Sequence, residues 1–187
     1  MLSNNFFKVL TVVLATLSVV LARHVTGRTI AIKSPTKFCL LLPPVRGGTI
    51  AKYEHNAVAF CKYPYKAAPN DNYLPHGFIK SYHYVKNNYR NYVQVTGRID
   101  REKYDLDHKD GGGQYDHKNV IGAKCLGYRY FVELVEPDVE YYCLRCCQRR
   151  SDCPIHKSTK GCKPAIVIHR HSIEWIHSNE DASEVEA

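Results

Sequence analysis

The residues best equipped for chemistry cluster in one acidic, glycine-rich stretch: Asp105-Leu106-Asp107-His108-Lys109-Asp110-Gly111-Gly112-Gly113-Gln114-Tyr115-Asp116, followed by His117. Imidazoles titrate near neutrality and a carboxylate can orient them, so His108, His117 and Asp116 suit general acid–base work of a small ribonuclease-like hydrolase. No nucleophile elbow, His-Glu-x-x-His helix or other catalytic signature accompanies them. The same stretch sets Asp105, Asp107 and Asp116 at positions 1, 3 and 12 of a calcium loop. Lys109 then falls on a ligand position and Asp110 where the sharp turn needs glycine. A turn whose glycines take positive φ and whose aspartates cap backbone donors accounts for the same composition. The expectation is a loop without metal, cofactor or catalytic residue, with the hydrolase as the alternative.

Five of the eight cysteines fall between Cys143 and Cys162. Cys143, Cys146, Cys147, Cys153 and nearby His156 superficially suit zinc. An even cysteine count in an oxidising compartment instead means disulfides: four bridges among Cys39, Cys61, Cys125, Cys143, Cys146, Cys147, Cys153 and Cys162. Cys39 lies in a buried apolar run and Cys61 ends the next one, so these two are expected to pair. Strand alternation puts Cys143 and Cys147 on one face and Cys146 on the other.

A basic aromatic stripe is the candidate binding surface. If 78–85 is a strand, Lys80, Tyr82 and Tyr84 project to one face, with Lys86 and Arg90 following. Tyrosine rings stack on sugars or bases while the cations meet anionic groups. The bland alternative is an ordinary strand face with cross-strand pairs.

The elements that must position these groups read as strands. Phe38–Leu42 is an apolar run stopped by Pro43-Pro44, and Ala57–Cys61 is a second. Residues 62–76 hold three prolines and read as loop. Segments 78–85 and 92–99 form a first hairpin around Lys86-Asn87-Asn88, with Val93, Val95 and Ile99 on one face. Residues 100–119 read as a long surface loop. Segments 130–135 and 139–147 form a second hairpin around Glu136-Pro137-Asp138, with Val132 and Leu134 facing inward opposite Tyr142, Leu144 and Cys146. Ala165–Ile168 adds a last strand. No long amphipathic helix is expected, so the fold class is mainly β: a single β-sandwich-like or irregular β domain, braced by disulfides, with long loops and few or no helices.

The compartment follows from the N-terminus. Lys8 precedes the apolar run Val9–Leu21, which exits through Val20-Leu21-Ala22 into Arg23-His24, the parts of a secretory signal. The run is shorter than the roughly 20 residues a membrane span needs. The expected organisation is a signal peptide at 1–22, a flexible arm at 23–36, the β domain at 37–177 and an acidic tail at 178–187. The formal charge is +8; losing Lys8 leaves +7, and the four carboxylates of the tail leave +11 on residues 23–177. Such a body attracts anionic partners. Arg149-Arg150 is a dibasic pair, and no Asn-x-Ser/Thr sequon follows residue 22.

Several stretches carry a resemblance: Phe38-Cys39-Leu40 with Pro43-Pro44, Ala57–Cys61, Leu74-Pro75 with Gly77-Phe78, Tyr92–Asp100, Asp110–Asp116 and Gly122–Cys125. In that order they are similar to a group of small secreted fungal proteins related to the macrophage-activating glycoproteins, over about residues 38–162. The resemblance implies export, a shared fold and a Cys125–Cys146 pair, and it brings no catalytic residues. This chain is more basic and richer in tyrosine and lysine than that group. The expectation is a monomeric, non-catalytic, secreted binding or host-interaction protein, effector-like, taking a glycan or other polyanion. A structural cell-wall component is a third class.

Overall fold

The computed structural model describes residues 27–63, 72–156, 160–162 and 166. The expected signal peptide at 1–22 and the expected acidic tail at 178–187 lie outside them, as does the expected last strand apart from Ile166. Among the described residues, ten strands build a mainly β fold of three sheets, and no barrel is closed. β1 (Thr29–Ile30) pairs in parallel with β8 (Lys124–Cys125). β2 (Ile32–Ser34), β3 (Lys37–Leu42) and β4 (Val58–Cys61) form an antiparallel sheet. β5 (His83–Asn87), β6 (Tyr92–Arg98), β7 (Gly113–Asp116), β9 (Tyr130–Glu136) and β10 (Tyr141–Cys147) form the second, in the order β5-β6-β10-β9-β7.

The larger sheet is buried on both faces, which is why its strands carry so little clean alternation. One face meets the three-stranded sheet in the main core, where the Phe38 and Tyr142 rings stack at 5.9 Å between centroids. The other face is covered by the C-terminal segment: Cys153, Cys162 and Ile166 pack on Tyr92, Val132, Leu134, Cys143 and Cys147.

All eight cysteines are paired, as Cys39–Cys61, Cys125–Cys146, Cys143–Cys162 and Cys147–Cys153. Both expected pairs are present, and the sulfurs that a zinc site would need are in disulfides. Cys143 and Cys147 do share the outer face, while Cys146 belongs to the main core.

Four expectations need correction. Residues 29–34 are not a loose arm: Ile30 and Ala31 are fully buried, and the Ala31 and Ile30 carbonyls accept from the Cys39 and Leu126 amides. Their apolar alternation is short, but two partner segments complete its hydrogen bonds. The first hairpin begins at His83, not Phe78, because the Lys80 and Ser81 amides both donate to the Arg98 carbonyl, at 2.9 and 3.3 Å. Two residues facing one is the pattern of a bulge, and Gly97 permits it, since a Cβ there would overlap the Ser81 carbonyl.

The stretch 100–119 is not one surface loop. It holds a 3-10 turn at Arg101–Tyr104 and the edge strand β7, with Tyr115 fully buried. Finally, the second hairpin turns over Pro137–Glu140, one residue longer than expected, and β10 starts at Tyr141. Val132 then faces Arg145 and Leu134 faces Cys143 across the ladder, on the outer face, while Tyr142, Leu144 and Cys146 lie on the core face with Phe131 and Val135. A one-residue shift in register moves every side chain across the sheet.

Candidate functional site

The expected stripe divides into four. Lys80 lies before β5 and its Nζ sits 3.3 Å from Glu140 Oε2 and 4.0 Å from Asp100 Oδ2. Arg90 reaches the other way, to Asp152 at 3.8 Å. Tyr82 is half-buried against the main core with Lys62 Nζ 5.4 Å from its ring centroid. Tyr84 and Lys86 face Val95 and Val93 across the ladder, and both border one open space, Tyr84 while half-buried against the main core.

That space is a cleft of about 360 Å³ lined by Lys33, Tyr84, Lys86, Asn87, Tyr128 and Gln148, with the turn asparagines around them. Each wall is fixed independently. Lys33 stands on β2, whose neighbour Ile32 is buried in the core. Asn87 closes β5, and its Oδ1 accepts from the Arg90 amide at 2.8 Å, which holds the turn. Asn91 completes that turn at φ 54, a left-handed conformation that asparagine tolerates well. The opposite wall, Leu126–Tyr128, follows β8 and is tied to β10 by Cys125–Cys146. Gln148 joins the walls: its amide donates to the Asn91 carbonyl at 3.0 Å and its Nε2 to the Gly127 carbonyl at 2.6 Å.

The charge in the cleft is of one sign. No aspartate or glutamate lines it, and among the described residues neither Lys33 nor Lys86 has an ion-pair partner. Burial first, then the neighbouring Tyr84, raises the Tyr128 phenol, so its proton stays in place at neutral pH. The sequence signalled Tyr84 and Lys86 through strand alternation. Lys33, Tyr128 and Gln148 carried no local signal, because they converge from three separate segments.

The glycine-rich stretch has other work. Asp116 is buried; its Oδ1 accepts from the Lys118 and Asn119 amides at 2.7 and 3.1 Å, and its Oδ2 from Gln114 Nε2 at 2.7 Å. His117 Nδ1 lies 3.3 Å from the Phe131 carbonyl and its ring meets Tyr130 edge-on. His108 is exposed and contacts Asp107 at 3.3 Å. The three candidate catalytic residues thus have separate partners. The calcium-loop aspartates are occupied too: Asp105 pairs with Arg46 at 2.8 Å, and Asp107 caps the Lys109 amide at 2.9 Å. Asp110 caps both Gly112 and Ile50. Gly112, at φ 86, lies so close to the Val135 carbonyl that a Cβ would overlap it. Among the described residues no cluster of three or more His, Cys, Asp or Glu side chains could hold a metal ion.

Glu133, Arg145 and Asp152 are buried ionisable groups that carried no signal in the sequence. Glu133 is fully buried in the main core, where desolvation drives its carboxyl well above the usual range and the Leu41 amide opposes that only in part. Arg145 is buried on the outer face. Its Nε and Nη2 donate to Gln94 Oε1 at 2.9 and 2.6 Å, its Nη1 to the Asp152 carbonyl at 3.1 Å, and its guanidinium lies 4.3 Å from the Tyr92 ring centroid. No protein family, curated protein or solved structure matches the chain.

Proposed function

We propose that this is an extracellular, non-catalytic binding protein of the host-interaction or effector-like kind, whose ligand is a glycan or other polyanion. The observation that carries the reading is the cleft: two lysines, two tyrosines and several amides around a space where, among the described residues, the lysines have no ion-pair partner and no carboxylate lines the wall. Pockets with a few convergent polar groups and aromatic walls are the usual form of a ligand site. Four disulfides, and no membrane-crossing helix among the described residues, are compatible with life outside the cytoplasm. The apolar run at 9–21 and the resemblance to secreted fungal proteins support export. The ribonuclease-like alternative has less behind it, because the Asp116 acceptors are taken by its own turn and strand.

The test is a glycan array probed with protein secreted from the full chain, read at low and physiological salt. Binding that weakens as salt rises is the expected result. Absence of binding to every glycan and polyanion at low salt would remove this reading.

A further inference from the structure

We propose that the cleft takes an acidic polysaccharide, holding a carboxylate or sulfate between Lys33 and Lys86 and a sugar ring beside Tyr84 and Tyr128. The inference deepens the binding reading above and rests on it. Its first support is the hydrogen-bonding inventory of the cleft. Lysine ammonium groups donate only. Asn87 Oδ1 is already occupied by the Arg90 amide, which leaves its Nδ2 as a donor. The Asn91 and Gly127 carbonyls are likewise taken by Gln148. A space with two ammonium groups and no carboxylate among its lining residues fits an anionic ligand, and the amide side chains around them can meet its hydroxyls.

The second support is where the free charge stops. Lys80 and Arg90, the cations nearest in sequence to Tyr84 and Lys86, are partnered by Glu140 and Asp152. A single-stranded nucleic acid is gripped by a basic groove running along several nucleotides, with open ring faces for its bases. Here both tyrosines are half-buried, and the cleft itself holds two cations, Lys33 and Lys86, rather than a run of them. Its volume of about 360 Å³ lies at the small end of ligand sites. A few sugar units bearing one or two acid groups match that extent.

The experiment titrates the secreted full chain with polygalacturonate, dextran sulfate, neutral dextran and a single-stranded oligonucleotide. Polygalacturonate carries the carboxylate arm and dextran sulfate the sulfate arm. At least one acidic polysaccharide is expected to bind about tenfold or more tightly than neutral dextran. Lys33→Ala/Lys86→Ala should weaken it by about tenfold or more, since two charge-assisted contacts are lost. Lys103→Ala/Lys109→Ala, an equal loss of exposed charge elsewhere, should change it less than about twofold. Equal weakening by both lysine pairs would overturn the site, reducing the attraction to overall charge. Equal binding of neutral dextran, insensitive to Lys33 and Lys86 but lost in Tyr84→Phe/Tyr128→Phe, would overturn the acidic ligand and keep the binding reading. Preference for the oligonucleotide overturns the polysaccharide. Binding of none of the four overturns the inference, and the array then decides whether the broader reading survives.

Discussion

Glu133 sets both carboxylate oxygens against the Leu41 amide, at 2.9 and 3.0 Å, and so ties the five-stranded sheet to the three-stranded one through the middle of the core. The folded-state carboxyl is raised far above its ordinary value by burial. A raised acid binds its proton more tightly when folded, so its contribution is whole below about pH 4.3 and is lost as pH climbs toward the folded-state value. Glu133→Gln, neutral throughout, should therefore gain on the parent by about 1.4 kcal/mol per pH unit across that window. Thermal melts from pH 4 to 8 check it. A difference that stays flat with pH would mean that Glu133 is not protonated in the fold.

Arg145 is the matching charge on the outer face, and its three hydrogen bonds and ring contact leave little room for a substitute. Arg145→Lys keeps the charge but loses the planar fork that meets Gln94 and the Asp152 carbonyl. We expect a loss of about 1–3 kcal/mol, as for buried polar groups left without partners. Urea denaturation would read it, and an unchanged midpoint would show that the cluster contributes nothing to stability.

Tyr82 and Tyr84 pack against the main core, so the double alanine variant tests stability before it tests binding. It should lose about 1–3 kcal/mol, below the range for fully buried aromatics because both rings remain partly exposed. Tyr84→Phe keeps the packing and removes only the hydroxyl; it should melt with the parent and bind polyanion more weakly. A parent-like melting point for the double alanine variant would place both rings in solvent.

Cys125–Cys146 holds the cleft wall that carries Tyr128. Cys125→Ser/Cys146→Ser should lower stability by about 2–4 kcal/mol, given a bridge spanning 21 residues. It should also weaken any ligand of the cleft more than replacing Cys147 and Cys153, whose bridge lies on the outer face. Equal losses of binding in the two double variants would show that the wall needs no such anchor.

The fold was legible wherever one residue type imposed a local rule. Continuous apolar runs marked β3 and β4, the even cysteine count gave four bridges, and strand alternation split Cys146 from Cys147. It was illegible where a single residue changed the phase. One extra turn residue at Glu140 reversed the partners of Val132 and Leu134, and the bulge at Lys80-Ser81 shortened β5. Polarity misled at Asp116, which is buried because backbone amides and Gln114 meet its oxygens. The cleft was half legible. Tyr84 and Lys86 followed from alternation, but Lys33, Tyr128 and Gln148 reach the same space only through pairings distant in sequence.

The adjacent cysteines of β10 also determine how the chain behaves under tension. Cys125–Cys146 and Cys143–Cys162 interleave along the sequence, and Cys147–Cys153 nests inside the second loop. A pull entering at residue 162 passes straight through sulfur to residue 143, and from residue 146 to residue 125, so the segment 125–162 cannot be unspooled while its bridges last. Cys39–Cys61 short-circuits the first loop in the same way. Stretching between residues 39 and 162 can therefore draw out mainly the chain between 61 and 125, which holds β5, β6 and β7. The Tyr84–Lys86 wall of the cleft is on the extensible part and the Tyr128 wall is on the locked block, so a mechanical load would part the two.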